Sequence, residues 1–426
     1  MFLCALSPAL SSWASTQGGD VDLGFNPAIS ESVSAVAVQS DDKVLIGGSF
    51  TNVNGAARTN VARLKPDGSL DTAFQNGLAG ANNTVRCIVV QSDGKVLIGG
   101  AFTAVNGAAR NGIARLNPDG SLDSNFVSSA SSVLSLASQA DGKVVVGGGW
   151  NSSTGTVRYA LSARLNTNGS PDANFQTQVA GSCAVPWACT TPSVNSVAVQ
   201  ADGKVLVGGL FTAVNGATRY AIVRLNPDGT LDSSFTALNW QDNFGNNGAA
   251  NSIVLQPDGK IFVGGIFNYL NATARGSVAR LNSGGTVDTS FLNGLAGANG
   301  NVNAVALQPD GKVLVGGVFS SVNEMTRNGI ARLNSDGSLD TGVQNGMSGI
   351  SGGFISYVQS VAVQSDGKVL IAGGFTSVNG VARNGFARLY GAAPPVFLGN
   401  AGVVSNEFGF DITGESNQVV IVEAST

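Results

Sequence analysis

The fold class predicted by the sequence is all-β: a seven-bladed β-propeller closed by an N-terminal strand, followed by the start of a small β-sandwich-like segment. Three observations carry this. A segment of the type Asp-Gly-Lys-Val-Leu-Val-Gly-Gly returns seven times, with its lysines at Lys43, Lys95, Lys143, Lys204, Lys260, Lys312 and Lys368. The spacings run from 48 to 61 residues, and strands repeated at such a period build a propeller or a solenoid. No window keeps apolar residues at helical spacing. Finally, the last unit lacks a strand that the N-terminus carries, which an open solenoid would have no use for.

The fourth unit shows the elements in order. Val194 to Gln200 is a short apolar run rich in valine. After Ala201-Asp202-Gly203 comes Lys204 to Gly209, a second apolar run. Thr212 to Arg219 is polar and holds an Asn215-Gly216 turn. Ala221 to Asn226 is a third strand candidate, and Leu231 to Phe235 a short fourth one beyond Pro227-Asp228-Gly229. Apolar runs of this length bounded by Gly, Pro, Asn and Asp are strands in hairpins. The first two are apolar on both faces, as strands between neighbouring sheets should be.

The turns fix the register. In Asn117-Pro118-Asp119-Gly120-Ser121 the proline presets φ for a type I turn and the glycine supplies the left-handed residue after it. The resulting three-residue loop sets Arg115 opposite Asp123. The same offset relates Arg63 to Asp71, Arg164 to Asp172, Arg224 to Asp232, Arg280 to Asp288 and Arg332 to Asp340. Cross-strand opposite charges of this kind stabilise a hairpin by roughly 0.2–1 kcal/mol each, so these ions are expected to be structural rungs. Arg388 has no Asp after it, whereas Val21-Asp22-Leu23-Gly24-Phe25 matches the missing Leu-Asp-x-x-Phe strand. The N-terminus is expected to supply it and so remove the sheet edges.

The combination Gln-x-Asp-Gly-Lys-Val-Leu-x-Gly-Gly, then Ala-Arg-Leu-Asn-x-Asp-Gly-Ser-Leu-Asp-x-x-Phe, resembles the delta-60 repeat of bacterial β-propeller proteins. Departures are modest: Asp42 replaces the turn glycine of the first unit, Pro171 a leucine in the third, Val343 a phenylalanine in the sixth. The resemblance implies a propeller within a large secreted or surface protein of bacteria, and implies no activity.

Composition narrows the function classes. Of 23 basic residues, only Lys65 and Arg86 fall outside three positions of the repeat. With a net charge of −4 there is no basic patch to hold nucleic acid. The chain has no histidine, which excludes Ser-His-Asp and Cys-His catalysis and His-ligated metals. The Pro-Asp-Gly turns do not need calcium to explain them, and no cofactor is expected. Cys87 begins an apolar strand and is expected to be a buried free thiol. Cys183 and Cys189 bracket Ala-Val-Pro-Trp-Ala, a spacing that suits a small disulfide loop and an oxidising compartment.

Residues 1–19 are expected to be a leader, with the remnant of a secretory signal ending in Ser12-Trp13-Ala14. Residues 20–391 form the propeller. Residues 392–426 comprise an Ala-Ala-Pro-Pro linker and two strand candidates, Phe408 to Ile412 and Val419 to Ala424. A lone hairpin is marginal in water, so this segment is expected to open a β-sandwich in a longer chain. No stretch approaches the ~20 apolar residues of a membrane span.

Irregular insertions at 176–193, 236–251 and 344–358 are expected to converge on one face. They bring Trp187, Trp240, Phe244 and Tyr357 together with Asp242. Exposed aromatics beside amides and a carboxylate suit a sugar ring. The competing explanation for each Trp is packing of its own loop. An enzyme would pair Asp242 with Glu324 as a glycosidase acid and base, a pattern the spacing does not support. The expected role is a non-catalytic, monomeric, secreted or cell-surface module for protein or glycan interaction, with carbohydrate binding by the inserted loops as the alternative.

Overall fold

The structure, a computed structural model, describes residues 18–154, 157–175, 177–182, 191–242, 246–343, 348–352, 355–391, 397–404 and 407–413. Seven sheets repeat one plan. In the fourth unit, inner strand Ser193–Val199 pairs antiparallel with Val205–Leu210, which pairs with Ile222–Leu225. The other inner strands are Val33–Val38, Val85–Val90, Val133–Ser138, Ala249–Leu255, Asn301–Leu307 and Tyr357–Val363. Their β-branched residues fit a pleated surface covered on both faces. The second strands are buried from Val205 to Gly209 and at every equivalent position. The expected fourth strand shrinks to a single bridge, such as Leu116 with Leu122, after which the carbonyl of Asp123 accepts the amide of Phe126 in a turn.

The core lies between blades rather than within them. One cluster joins Leu45 and Val61 of the first unit to Val85, Val96 and Ile98 of the second. Another joins Val33, Val44 and Ile46 to Leu370, Ala372 and Phe386 of the seventh. A Gly-Gly pair in six of the seven second strands, replaced by Ala372-Gly373 in the seventh, permits this approach. A Cβ on Gly208 would meet Ile253 Cδ1 of the next blade at 2.6 Å, and one on Gly209 would collide with the Ser193 carbonyl.

The expected charge rungs are present, and they do more than cross a hairpin. Arg115 Nε donates to Asp123 at 2.8 Å, and the six counterparts, Arg388 with Asp22 included, span 2.7 to 2.9 Å. Asp123 also accepts Lys95 Nζ at 3.0 Å. In the first unit the lysine turns instead to Asp41, at 2.6 Å. The Arg Nη1 then reaches a turn carbonyl of the following blade: Arg63 to Pro118, Arg115 to Thr167, Arg164 to Pro227, Arg224 to Ser283, Arg280 to Ser335, Arg332 to Gly391 and Arg388 to Pro66. Six of the seven guanidinium groups also lie over a phenylalanine, as Arg115 does over Phe126 at 4.8 Å; Arg332 is the exception, since Val343 stands at that position. A cation on an aromatic face is attracted by the ring quadrupole.

The N-terminal segment pairs with the third strand of the seventh unit. Asp22 N donates to Arg388 O at 2.8 Å and Tyr390 N to Asp20 O at 2.9 Å, with Val21 bridged to Leu389. Phe25 is fully buried, edge-on to Phe386 at 5.8 Å and under Arg388 at 4.1 Å.

Beyond the propeller, Phe397–Val404 pairs with Glu407–Thr413. The expected strand at 408–412 thus lies within Glu407–Thr413, and the expected strand at 419–424 lies outside the described residues.

Candidate functional site at the channel mouth

Every inner strand has its register interrupted at the same place: Val33/Ala35, Val85/Cys87, Val133/Ser135, Val194/Ser196, Ala250/Ser252, Val302/Ala304 and Val358/Ser360. A bulge inserts one residue that the partner strand does not match and re-aims its side chain. The inserted residues are Ser34, Arg86, Leu134, Asn195, Asn251, Asn303 and Gln359. All seven line one cavity of about 370 Å³, together with Thr84 and Tyr357. Side chains from seven successive blades meet only on the axis, so this cavity is the mouth of the central channel.

The inner strand is the sheet edge, so alternate amides face away from the ladder, and a buried N–H needs a partner. Hydroxyls of adjoining blades supply it. Ser135 Oγ accepts from Val197 N at 2.9 Å, Ser196 from Ile253 at 3.0 Å, Ser252 from Val305 at 3.1 Å and Ser360 from Val36 at 3.3 Å. The amides above them are ordered too. Asn195 Nδ2 donates to Asn251 Oδ1 at 3.0 Å, Asn251 Nδ2 to Val302 O at 3.3 Å and Asn303 Nδ2 to Val358 O at 3.1 Å.

Arg86 is the one charged residue lining the mouth. It is exposed, and no ion pair holds it among the described residues. The next residue, Cys87, is a free thiol, pushed up to about 12 by burial and therefore unreactive.

Elsewhere the ionisable groups are committed. Hydrogen bonds from Lys143, the Asn174 amide and Arg164 hold Asp172 down at about 2 against the opposing cost of its burial. Asp232 and Asp288 are held lower still: burial opposes their ionisation, and hydroxyl, Lys and Arg partners outweigh it. Among the described residues no group of three His, Cys, Asp or Glu side chains could hold a metal ion.

The residues expected to form a loop site separate. Tyr357 does line the mouth. Asp242 is bound into its own turn, accepting Asn246 N at 2.8 Å and Asn246 Nδ2 at 2.9 Å. Glu324 sits exposed at the tip of a two-residue hairpin. Trp187, Phe244, Cys183 and Cys189 lie outside the described residues.

Trp240 corrects the expectation of an exposed aromatic. It is 0% exposed and packs edge-on against Phe267 at 4.7 Å. Its backbone pairs with Leu270 as Ile29 does with Val53, Ala81 with Val105, Ala298 with Val322 and Ile350 with Val378. Each of these residues anchors a blade-to-blade segment against the hairpin between second and third strands. Trp240 fills that anchor position with a larger side chain.

The ring itself was missed in the sequence, although a cue was there. Aligned on Val-x-Ser/Ala, the seven units keep the flanks small or apolar while x runs Ser, Arg, Leu, Asn, Asn, Asn, Gln. A position free to vary between otherwise constrained neighbours carries no packing duty.

Seven segments, residues 39–74, 91–126, 139–175, 200–235, 256–291, 308–342 and 364–389, match the domain of unknown function (DUF5122) beta-propeller family. Together they cover more than half of the chain. The chain belongs to the DUF5122 beta-propeller family. Among solved structures, this DUF5122 propeller is similar to the extracellular domain of a protein described as the hybrid two component system BT4673 from B. thetaiotaomicron, with 14% identity and a TM-score of 0.52 over 90% of the chain and 40% of that protein. It is also similar to the WD40 beta propeller domain of Doa1, with 13% identity and a TM-score of 0.48 over 88% of the chain and 96% of that domain. The DUF5122 chain thus spans well under half of the first neighbour's length, and at such identities the likeness concerns fold alone. No curated protein matches it.

Proposed function

We propose that this DUF5122 propeller is a non-catalytic interaction module, secreted or displayed at the cell surface, that takes its ligand at the channel mouth. One observation carries the reading. All seven blades bulge at one position to bring a side chain with no packing duty onto the axis, while the Lys, Arg and Asp residues of the repeat are spent on bonds within and between blades. No described carboxylate lines the mouth, so an acid–base pair for hydrolysis is not supported there.

The burial of Trp240 takes away one of the two tryptophans that favoured carbohydrate binding by the inserted loops, Trp187 lying outside the described residues, and favours the mouth as the candidate surface. An extracellular setting is supported by the neighbouring fold's occurrence in an extracellular domain and by the Cys183–Cys189 spacing. No helix among the described residues is long and apolar enough to cross a membrane.

The test is hydrogen–deuterium exchange of the propeller with and without a fractionated cell-wall extract, with soluble products assayed in parallel. Protection should concentrate at the starts of the inner strands, around residues 33–36, 84–87, 251–253 and 303–305, with no products released. Protection confined to the outer turns, or steady product release, would overturn the reading.

A further inference from the structure

We propose that the mouth binds an acidic sugar, a uronic acid unit of a polysaccharide, with its carboxylate on Arg86 and its ring hydroxyls on the opposite amides. This rests on the reading of the mouth as the ligand surface. The ring of seven is chemically lopsided. Units four to seven contribute an unbroken arc of amides, Asn195, Asn251, Asn303 and Gln359, whereas units one to three contribute Ser34, Arg86 and Leu134. Arg86 belongs to the second unit, and Asn251 and Asn303 to the fifth and sixth. They stand three and four blades away round a ring of seven, which is directly across the axis. A ligand seated there meets a cation on one side and amides on the other.

A uronic acid has that polarity. Its carboxylate projects from one edge of the pyranose ring, and hydroxyls occupy the far edge. The guanidinium offers a planar fork that matches a carboxylate in two parallel hydrogen bonds. No carboxylate of the protein competes for Arg86 among the described residues.

The amides suit hydroxyls, which both donate and accept. Each Nδ2 has a second hydrogen beyond the one given to its neighbour, and no described donor reaches Oδ1 of Asn195 or Asn303. Their existing bonds hold the arc in place, which lowers the ordering cost of binding. Tyr357 adds an aromatic surface for the apolar face of the ring. An acidic peptide fits less well, because Leu134 is the one aliphatic side chain at the mouth and no subsite is built for apolar side chains. A volume of about 370 Å³ lies in the range of small-ligand sites.

The experiment is isothermal titration of the full chain, and of its R86Q and R86K variants, with digalacturonate, neutral digalactose and a short glutamate-rich peptide. Arg86 is exposed and unpaired, so both variants should keep the parent melting temperature. Digalacturonate should bind at least tenfold more tightly than digalactose. R86Q should abolish that preference, and R86K should restore part of it. Equal binding of the two sugars, unaffected by R86Q, would overturn the acidic-sugar inference while leaving the mouth as a binding surface. Binding of the peptide alone, dependent on Arg86, would overturn the sugar class. If no probe binds at millimolar concentration, the inference and the module reading it rests on both fall.

Discussion

Replacing Phe25 by alanine tests whether the N-terminal segment is an integral part of the seventh blade. The ring is fully buried and sits in one cluster with Ile46 and Leu64 of the first unit and Phe386 of the seventh. It also carries the Arg388 guanidinium on its face. Truncating a buried phenylalanine costs about 3–5 kcal/mol, the lost transfer energy plus the cavity left behind. A cooperative domain of about 370 residues unfolds with an entropy of roughly 0.8 kcal/mol/K, so Tm should fall by about 4–6 °C. Differential scanning calorimetry of Phe25→Ala beside Phe126→Ala, its counterpart in the second unit, makes the comparison. The two shifts should agree within a degree or two. A shift near zero for Phe25→Ala, with the full shift for Phe126→Ala, would show that the blade stands without its N-terminal piece.

Four further outcomes are expected. Stability should fall on acidification between about pH 4 and pH 2: Asp172 has its pKa depressed to about 2 from 3.8, so its contribution is complete above the unfolded value and vanishes as pH drops through the folded one. Chemical denaturation at pH 5 and pH 2.5 measures it, and Asp172→Asn should flatten the dependence. Gly209→Ala forces a Cβ onto the Ser193 carbonyl and should cost about 3 kcal/mol, whereas Gly216→Ala, which meets nothing within 4 Å, should cost about 1–2 kcal/mol for its left-handed backbone; urea titration separates them. Arg388→Met removes both its Asp22 pair and the link to Pro66 and should destabilise by about 3 kcal/mol, because a buried carboxylate is left with Lys368, 3.7 Å away, as its cation; recovery in Arg388→Met/Asp22→Leu would support that cause. Trp240 should fluoresce at short wavelength and resist acrylamide quenching, with no response to added saccharide; ready quenching would contradict its burial.

Much of this architecture was legible because it rests on local chemistry repeated seven times. The Pro-Asp-Gly turn dictates that Arg115 faces Asp123, and the unmatched Arg388 points to Asp22 across the whole chain. Trp240 was misplaced because its segment was read as an insertion rather than aligned with Ile29 and Ala298, whose small side chains disguise the shared anchor position. The channel ring was hidden for a different reason. A one-residue bulge shifts the phase of an alternating pattern, but the inner strands are apolar on both faces and show no alternation to shift, so Asn251 looked like an ordinary strand residue. The reach of Arg115 to the Thr167 carbonyl was likewise out of view, since it depends on how close neighbouring blades approach.

The pairing of Asp22 with Arg388 joins positions 366 residues apart, and that separation has a consequence for how the chain folds. Closing a loop of that length costs roughly 5 kcal/mol of chain entropy beyond the constant term. The hairpins inside each unit, by contrast, join residues within about 21 positions of one another, as Val144 with Leu165, and can form at once. Contacts of high sequence separation are reached late because their entropy must be lost before they stabilise anything. The order of assembly should therefore run from hairpin to blade to stacked blades, with the N-terminal strand docking last. During synthesis it emerges before all seven units and is used after them, left waiting until the seventh unit emerges to receive it.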